Sequence, residues 1–360
     1  MQNQHFSHEE IHSQYISLSQ TLDYMLDNKT KIADFFSCSS SSSCSNAGDV
    51  VFVACGSSYW MSLSAHKTMK LKTNRRSYAV KAAEVVLCPE EFDGIYDNPV
   101  FVCPSRSGRT KELLDAVDIL KAMYPSSRVL SIVEYTDNHL DAKSDLALNI
   151  SWANEQSVCQ TRSFSSLYTA CITMAAIIGG DEAFIGNLRE YLKNAPDLYA
   201  KHEAAVQEIA DASKIKSLVA LGSGLQYGLV VEGAYIVIEM AQFDSNYYQL
   251  LEYRHGPIVT AKPGTAVFIC SGGTDKHAAH ERKIAEEARA AGAKVYVVAL
   301  SESKAHWADY AFSLHGGYAK EKEIIALHFI FVMQSFAYYF ALSHGADPDS
   351  PGNLVPFIVY

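Results

Sequence analysis

No run of lysine or arginine marks any part of this 360-residue chain as a surface for nucleic acid. Acidic residues outnumber basic ones 40 to 30, a formal charge of -10, which disfavours polyanions as partners. One small anion remains compatible, because backbone amides and one or two arginines hold it locally. Cysteine is limited to eight residues, and no C-x-x-C pair points to zinc or redox chemistry. Cys55, Cys103 and Cys270 lie in or at the ends of apolar runs and read as small core residues of a reducing compartment. No apolar stretch reads as long enough to span a bilayer, and the opening MQNQHFSHEEIHSQ lacks the basic start and apolar centre of a secretory signal. The expectation is a soluble cytoplasmic protein with no membrane partner. The Walker pattern and the G-x-G-x-x-G fingerprint are both missing, which argues against a nucleotide. No cluster of His, Cys and carboxylate is read as having ligand spacing, so neither a metal nor another cofactor is expected.

What is present is apolar residues, 48% of the chain, enough for two cores of ordinary size. Short β-branched runs alternate with longer amphipathic stretches, the pattern of an α/β fold with parallel sheets covered by helices on both faces. Candidate strands cover 50–55, 101–104, 128–133 and 146–150, and are answered by 217–222, 266–271, 294–300 and 310–314. Gly56 and Gly222, Ser105 and Ser271, and Val129 and Val295 are each 166 residues apart. A shared offset at three strand ends reads as two copies of one α/β unit. Residues 1–45 form a helical lead-in, the serine-rich stretch 37–46 reads as a mobile loop, and 182–213 reads as helices broken near Pro196. The domains expected are 46–195 and 196–345, with 346–360 as a C-terminal loop closing the site.

Two loops have the geometry of an anion cradle. ACGSSY (54–59) leaves a strand through Gly56 and enters a helix with Ser57 and Ser58, and SRSGRT (105–110) turns through Gly108 into a helix at Arg109 and Thr110. Hydroxyls, free first-turn amides and the helix dipole suit a phosphate, and Arg106 and Arg109 add positive charge. The alternative is that these hydroxyls only cap helices. On VEGAYIVIEMAQF (231–243), Glu232 and Glu239 fall on one helical stripe. The neighbours Ile236, Val237, Ile238, Met240 and Ala241 should strip Glu239 of hydration and raise its pKa toward that of a working base.

These segments resemble the SIS (sugar isomerase) family over about residues 45–360. ACGSSY is similar to its A-C-G-[ST]-S-Y loop and SRSGRT to its S-x-S-G-x-T loop; NEQSVCQTRSF (154–164) resembles E-x-x-V-A-S-T-K-x-F, and EYRHGP (252–257) resembles E-[LFY]-[KR]-H-G-P. The tail NLVPFIVY (353–360) stands where members close the site. The resemblance implies two tandem doubly wound, flavodoxin-like domains and a homodimer or dimer of dimers. Its substrate would be a phosphorylated sugar or amino sugar. Ser58, Ser105, Ser107 and Thr110 would hold the phosphate, with Ser57 and Val158 near the sugar. Glu232 aligns with the first acid of the family helix and Glu239 with its catalytic base, while His255 aligns with the histidine that opens the ring and serves the neighbouring subunit.

One departure bears on the reaction. Ile236 stands where isomerases of the family carry a lysine, and Pro356 where a late lysine is found. Both changes resemble the fructosamine-6-phosphate deglycase branch, whereas TRSF (161–164) resembles the isomerase branch. The competing reading is a sugar-phosphate sensor without turnover, which has no need of Glu239 and His255 together.

Overall fold

The computed structural model describes residues 5–37, 48–211, 213–299, 305–352 and 354–355. Most of the serine-rich stretch and the tail positions 353 and 356–360, Pro356 included, lie outside them. The chain order is α1 (Phe6–His12), α2 (Gln14–Asp27), α3 (Lys29–Phe36), β1 (Val50–Ala54), α4 (Gly56–Thr73), β2 (Ser77–Lys81), α5 (Ala82–Leu87), β3 (Val100–Ser105), α6 (Lys111–Met123), β4 (Arg128–Val133), β5 (Leu146–Asn149), α7 (Arg162–Gly179) and α8 (Glu182–Ile209). There follow β6 (Ser217–Gly222), α9 (Tyr227–Ala241), β7 (Ser245–Gln249), β8 (Thr265–Cys270), α10 (Asp275–Ala290), β9 (Lys294–Ala299), β10 (Tyr310–Ser313) and α11 (Lys322–His344).

Two compact units result. One comprises Ile16–Asn154, Arg162–Ile185 and Val355–Tyr360; the other comprises Met1–Tyr15, Glu155–Thr161 and Gly186–Leu354. In the first, all strands are parallel in the order β2-β1-β3-β4-β5. Alternate residues Val51, Val53, Phe101, Cys103, Val129 and Val133 pack with Leu113, Val117 and Leu120 of α6. The pleat sends Val50, Phe52, Val102, Leu130 and Ile132 to the opposite face, where they are equally buried. Burial on both faces explains why these strands read as unbroken apolar runs.

The second unit repeats the plan with the order β10-β9-β8-β6-β7, again all parallel. Val219, Leu221, Val267, Ile269, Val295 and Val297 pack with Ile284, Ala285 and Ala288 of α10. Counted from their own first strands, both sheets run 2-1-3-4-5, the flavodoxin-like doubly wound order. The tandem α/β architecture expected from the duplication is what the chain adopts.

Three readings need correction. Strands β2 (SYAVK) and β7 (SNYYQ) were not expected; each is a half-exposed edge strand whose polar residues hide it. Helix α8 runs unbroken through Pro196. Buried Leu192, Ala195, Leu198 and Tyr199 flank the proline, and their packing outweighs an interior proline penalty of about 3 kcal/mol. Finally, the 23-residue α11 is long and apolar enough to cross a membrane by composition. Its most apolar window is 94% buried inside the fold, the position of a core helix.

Candidate functional site

In the first unit, β1 and β3 are neighbours from which the chain winds in opposite directions, toward β2 and toward β4. The crevice beyond the carboxyl ends of such a pair is where open α/β sheets bind ligands. Ser57 and Ser58 stand there in the first turn of α4, and Ser105, Arg106, Ser107 and Thr110 in the loop from β3 to α6. All are buried except Thr110, which is half-buried.

The second loop is held rigidly. Gly108 takes φ 60, and a Cβ there would meet Asn138 at 2.8 Å, so the turn requires glycine on two counts. Its amide donates to Ser105 Oγ at 3.0 Å, and the Arg109 amide donates to Ser107 Oγ at 3.1 Å. Each of these hydroxyls accepts one N–H and keeps its own O–H to donate. Neither α4, with Cys55 at its N-cap, nor α6, with Thr110, is capped by a side chain. The hydroxyls are therefore not spent on capping, and the first-turn amides stay available to an anion. The Cys55 thiol is pushed up to about 12, by burial first and then by Glu112, so it supplies no thiolate.

Arg109 is a correction. Its guanidinium turns outward, donating from Nε to the Asp137 carbonyl at 2.7 Å and pairing with the Asp137 carboxylate at 2.6 Å. Its charge is neutralised outside the turn. Arg106 stays buried, and its carbonyl accepts the Glu134 and Tyr135 amides.

The equivalent switch point of the second unit lies between β6 and β8, and there the chain fills its own cradle. Glu281 of α10 accepts the Gly272 amide at 2.7 Å and the Ser271 hydroxyl at 3.0 Å. Thr274 caps α10 by accepting the His277 amide. Burial raises the Glu281 carboxyl above its ordinary value despite these bonds. Of two cradles made from one ancestral unit, one is closed by a carboxylate and a cap; the other keeps its hydroxyls and amides open.

The acidic helix α9 belongs to the second unit. Gly233 lets α11 come close, since a Cβ there would meet Met333 and Phe329 at 2.8 Å. Glu232 is 1% exposed. Glu239 is only half-buried and Ile238 beside it is 37% exposed, so its surroundings are more open than the apolar sequence implied. Tyr235 lies one turn from each acid. Its hydroxyl is raised by burial and then by the Glu239 and Glu232 carboxylates, so both acids act on one spot. Ile236 is fully buried and places no amine on this helix.

His255 is exposed on the turn after Glu252–Arg254, before Gly256 at φ 133. The turn is anchored by buried Tyr253 and by a two-bonded ion pair from Arg254 to Glu287, at 2.8 and 3.0 Å. Val158 is half-buried in the 155–161 segment, its amide donating to the Asp349 carbonyl at 3.1 Å. The structure thus gathers the serine and threonine set in one unit. Glu232, Glu239, His255 and Val158 lie in the other, with His255 and Val158 on segments outside α9.

One cluster escaped the sequence reading. His8, His12 and Glu203 place three ligand atoms within 4.8 Å of one another. The signal was the H-x-x-x-H spacing of His8 and His12, one helical turn apart, which the expectation of no ligand spacing overlooked.

Two five-stranded parallel sheets in this order form tandem SIS domains, the fold of phosphosugar isomerases. The comparisons with known proteins agree. The chain is 26% identical over 364 residues to the glutamine–fructose-6-phosphate aminotransferase (isomerizing) of Aeropyrum pernix, covering 97% of this chain and 56% of that protein. It spans little more than half the length of the curated relatives it matches. Among solved structures it resembles glucosamine-6-phosphate deaminase from Thermotoga maritima, with TM-score 0.80 and 27% identity over 99% of this chain and all of that one. It shares the fold of tagatose-6-phosphate ketose/aldose isomerase from Escherichia coli, with TM-score 0.82 and 19% identity over 97% of this chain and 96% of that one. No protein-family model matches the chain.

Proposed function

We propose that this protein is an enzyme that binds a sugar or amino-sugar 6-phosphate and moves a proton between its first two carbons. The open Ser/Thr cradle at the first switch point, in contrast to its closed counterpart in the second sheet, is the observation that carries the reading. Ser58, Ser105, Ser107 and Thr110 donate to the phosphate, with Arg106 beneath the turn and Ser57 and Val158 near the sugar. His255 assists ring opening. Glu239 takes the proton from one carbon and returns it to the other through an enediol or enolamine, and Glu232 holds substrate hydroxyls.

The absence of a lysine from α9 favours an amine-releasing outcome. With an amine on the first carbon, reprotonation at the second leaves a carbon–nitrogen double bond. Water then hydrolyses it to an aldehyde and the free amine. That reaction is deglycation; with oxygen in place of nitrogen, the same proton transfer is aldose–ketose isomerisation. The named activity of the T. maritima neighbour, a deaminase acting on an amino-sugar phosphate, supports chemistry of this type. Incubation with hexose 6-phosphates, amino-sugar phosphates and fructosamine phosphates, followed by mass spectrometry, separates the two. Turnover of none of them would leave a sensor.

The cradle has its own test. In Ser105→Ala combined with Thr110→Ala, two hydrogen bonds to a charged group are lost, each worth about 1.5–3 kcal/mol. Affinity for fructose 6-phosphate measured by calorimetry is expected to fall at least about 10²-fold, with circular dichroism confirming that the variant folds. Unchanged affinity would reduce the loop to a structural turn.

Assembly is part of the proposal. His255 is exposed, with Leu251 at 45% and Val259 at 83% exposure beside it, a surface suited to burial against a second copy. In a homodimer where His255 serves the partner's site, an inactive Glu239→Gln chain mixed with an inactive His255→Ala chain regains activity, since some mixed sites hold both groups. Absence of recovery after demonstrated subunit exchange would put both groups in one chain's site.

A further inference from the structure

We propose that His8, His12 and Glu203 form a binding site for one divalent transition-metal ion of the zinc class, separate from the phosphate cradle. His8 and His12 lie one turn apart on α1 with their rings stacked at 4.2 Å. His12 donates from Nδ1 to the His8 carbonyl at 2.8 Å. That bond fixes the tautomer and leaves the Nε2 lone pair free, the arrangement seen in metal-ligating histidines.

His12 Nε2 then faces Glu203 Oε1 at 3.4 Å. His8 Nε2 faces the same oxygen at 3.2 Å. The ligand atoms of His8, His12 and Glu203 all lie within 4.8 Å of one another, as ligands that share one ion do. The spacing fits a metal: ligands about 2.0–2.1 Å from a tetrahedral zinc ion are separated by about 3.3–3.4 Å. Tyr339 donates its hydroxyl to Glu203 and lies 3.3 Å from His8 Nε2, which supplies the surrounding hydrogen bonding that orients first ligands.

The ligands are held in place independently of any ion. Asp349 accepts the Phe6 and Ser7 amides at 2.9 and 2.8 Å, the Glu10 carboxylate takes the Ser157 hydroxyl at 2.5 Å, and Gln14 bonds Gln334 at 3.0 Å. His8 also lines a cleft of about 1090 Å³ together with His5, Tyr338 and Tyr339. A bound ion would clip α1 to α8.

The test is calorimetric titration of zinc chloride into the full chain after removal of metals with a chelator. The expected result is one site of micromolar or tighter affinity, weakened at least about 10²-fold in His8→Ala combined with His12→Ala and in Glu203→Gln. Circular dichroism confirms that the variants fold. Anomalous scattering at the zinc edge from wild-type crystals locates the ion without any variant, and is expected to place it between the three side chains. Binding unchanged in folded variants, an anomalous peak at another site alone, or no binding by the wild-type protein below about 100 µM would each overturn the proposal.

Discussion

Replacing Glu239 with glutamine is expected to cut turnover of the phosphosugar by about 10²-fold or more while affinity falls little. Glutamine keeps the size and hydrogen-bonding capacity of glutamate but takes no proton from carbon. The interaction lost is one made in the transition state, so the turnover number falls and KM hardly moves. His255→Ala is expected to differ: its defect lies in ring opening and is partly relieved by substrates locked in open-chain form. A large rise in KM for Glu239→Gln with an unchanged turnover number would move this residue from chemistry to binding.

The second large effect is on stability. His328 is fully buried, with Tyr191 Oη at 3.2 Å from its Nδ1 and His202 Nδ1 at 3.0 Å from its Nε2. Burial, then the neighbouring His202, holds its pKa well below the ordinary value of 6.5. His66 of α4 is lowered to about 4, chiefly by burial and against the bond to the Ser77 carbonyl. Both rings are neutral in the folded chain and protonate in the unfolded chain below 6.5. Their stabilisation is complete above pH 6.5 and is lost as pH falls from there toward 4. Each removes about 1.4 kcal/mol per pH unit in that window.

Glu281, raised by burial, works in the opposite sense over part of the same window. His202, lowered to about 4 chiefly by burial, acts in the same sense as His328 and His66, so the expected net loss is at least about 1.4 kcal/mol per pH unit. Urea unfolding midpoints between pH 7 and 5 measure it, and His328→Gln should show a shallower slope than the wild-type chain. A flat profile would mean that these imidazoles are not neutral in the folded chain.

The central strands were legible because burial on both faces leaves them continuous apolar runs, and the duplication because both sheets preserve it. Edge strands β2 and β7 were not, since a half-exposed strand such as SYAVK tolerates polar residues and loses the pattern. The turn at 105–110 was legible because its backbone demands Gly108. Arg109 was misread because its partner Asp137 arrives from the loop after β4, which no local pattern announces. The same reason hid the metal cluster: His8 and His12 are one turn apart, but Glu203 is 195 residues from His8 in the chain. The unbroken α8 shows tertiary packing overriding a proline, and the half-exposed Glu239 shows that neighbours in sequence do not define enclosure in space.

The most direct test of proton transfer at the first two sugar carbons is solvent exchange. A phosphosugar shown by calorimetry to bind is incubated with wild-type protein in deuterium oxide, and substrate and product are analysed by mass spectrometry and NMR. A base that takes a carbon-bound proton and exchanges it with solvent introduces deuterium at the first or second carbon, and Glu239→Gln abolishes the incorporation. Absence of deuterium from every phosphosugar that binds the wild-type protein would contradict the isomerase and deglycase readings together, and leave a protein that recognises sugar phosphates without transforming them.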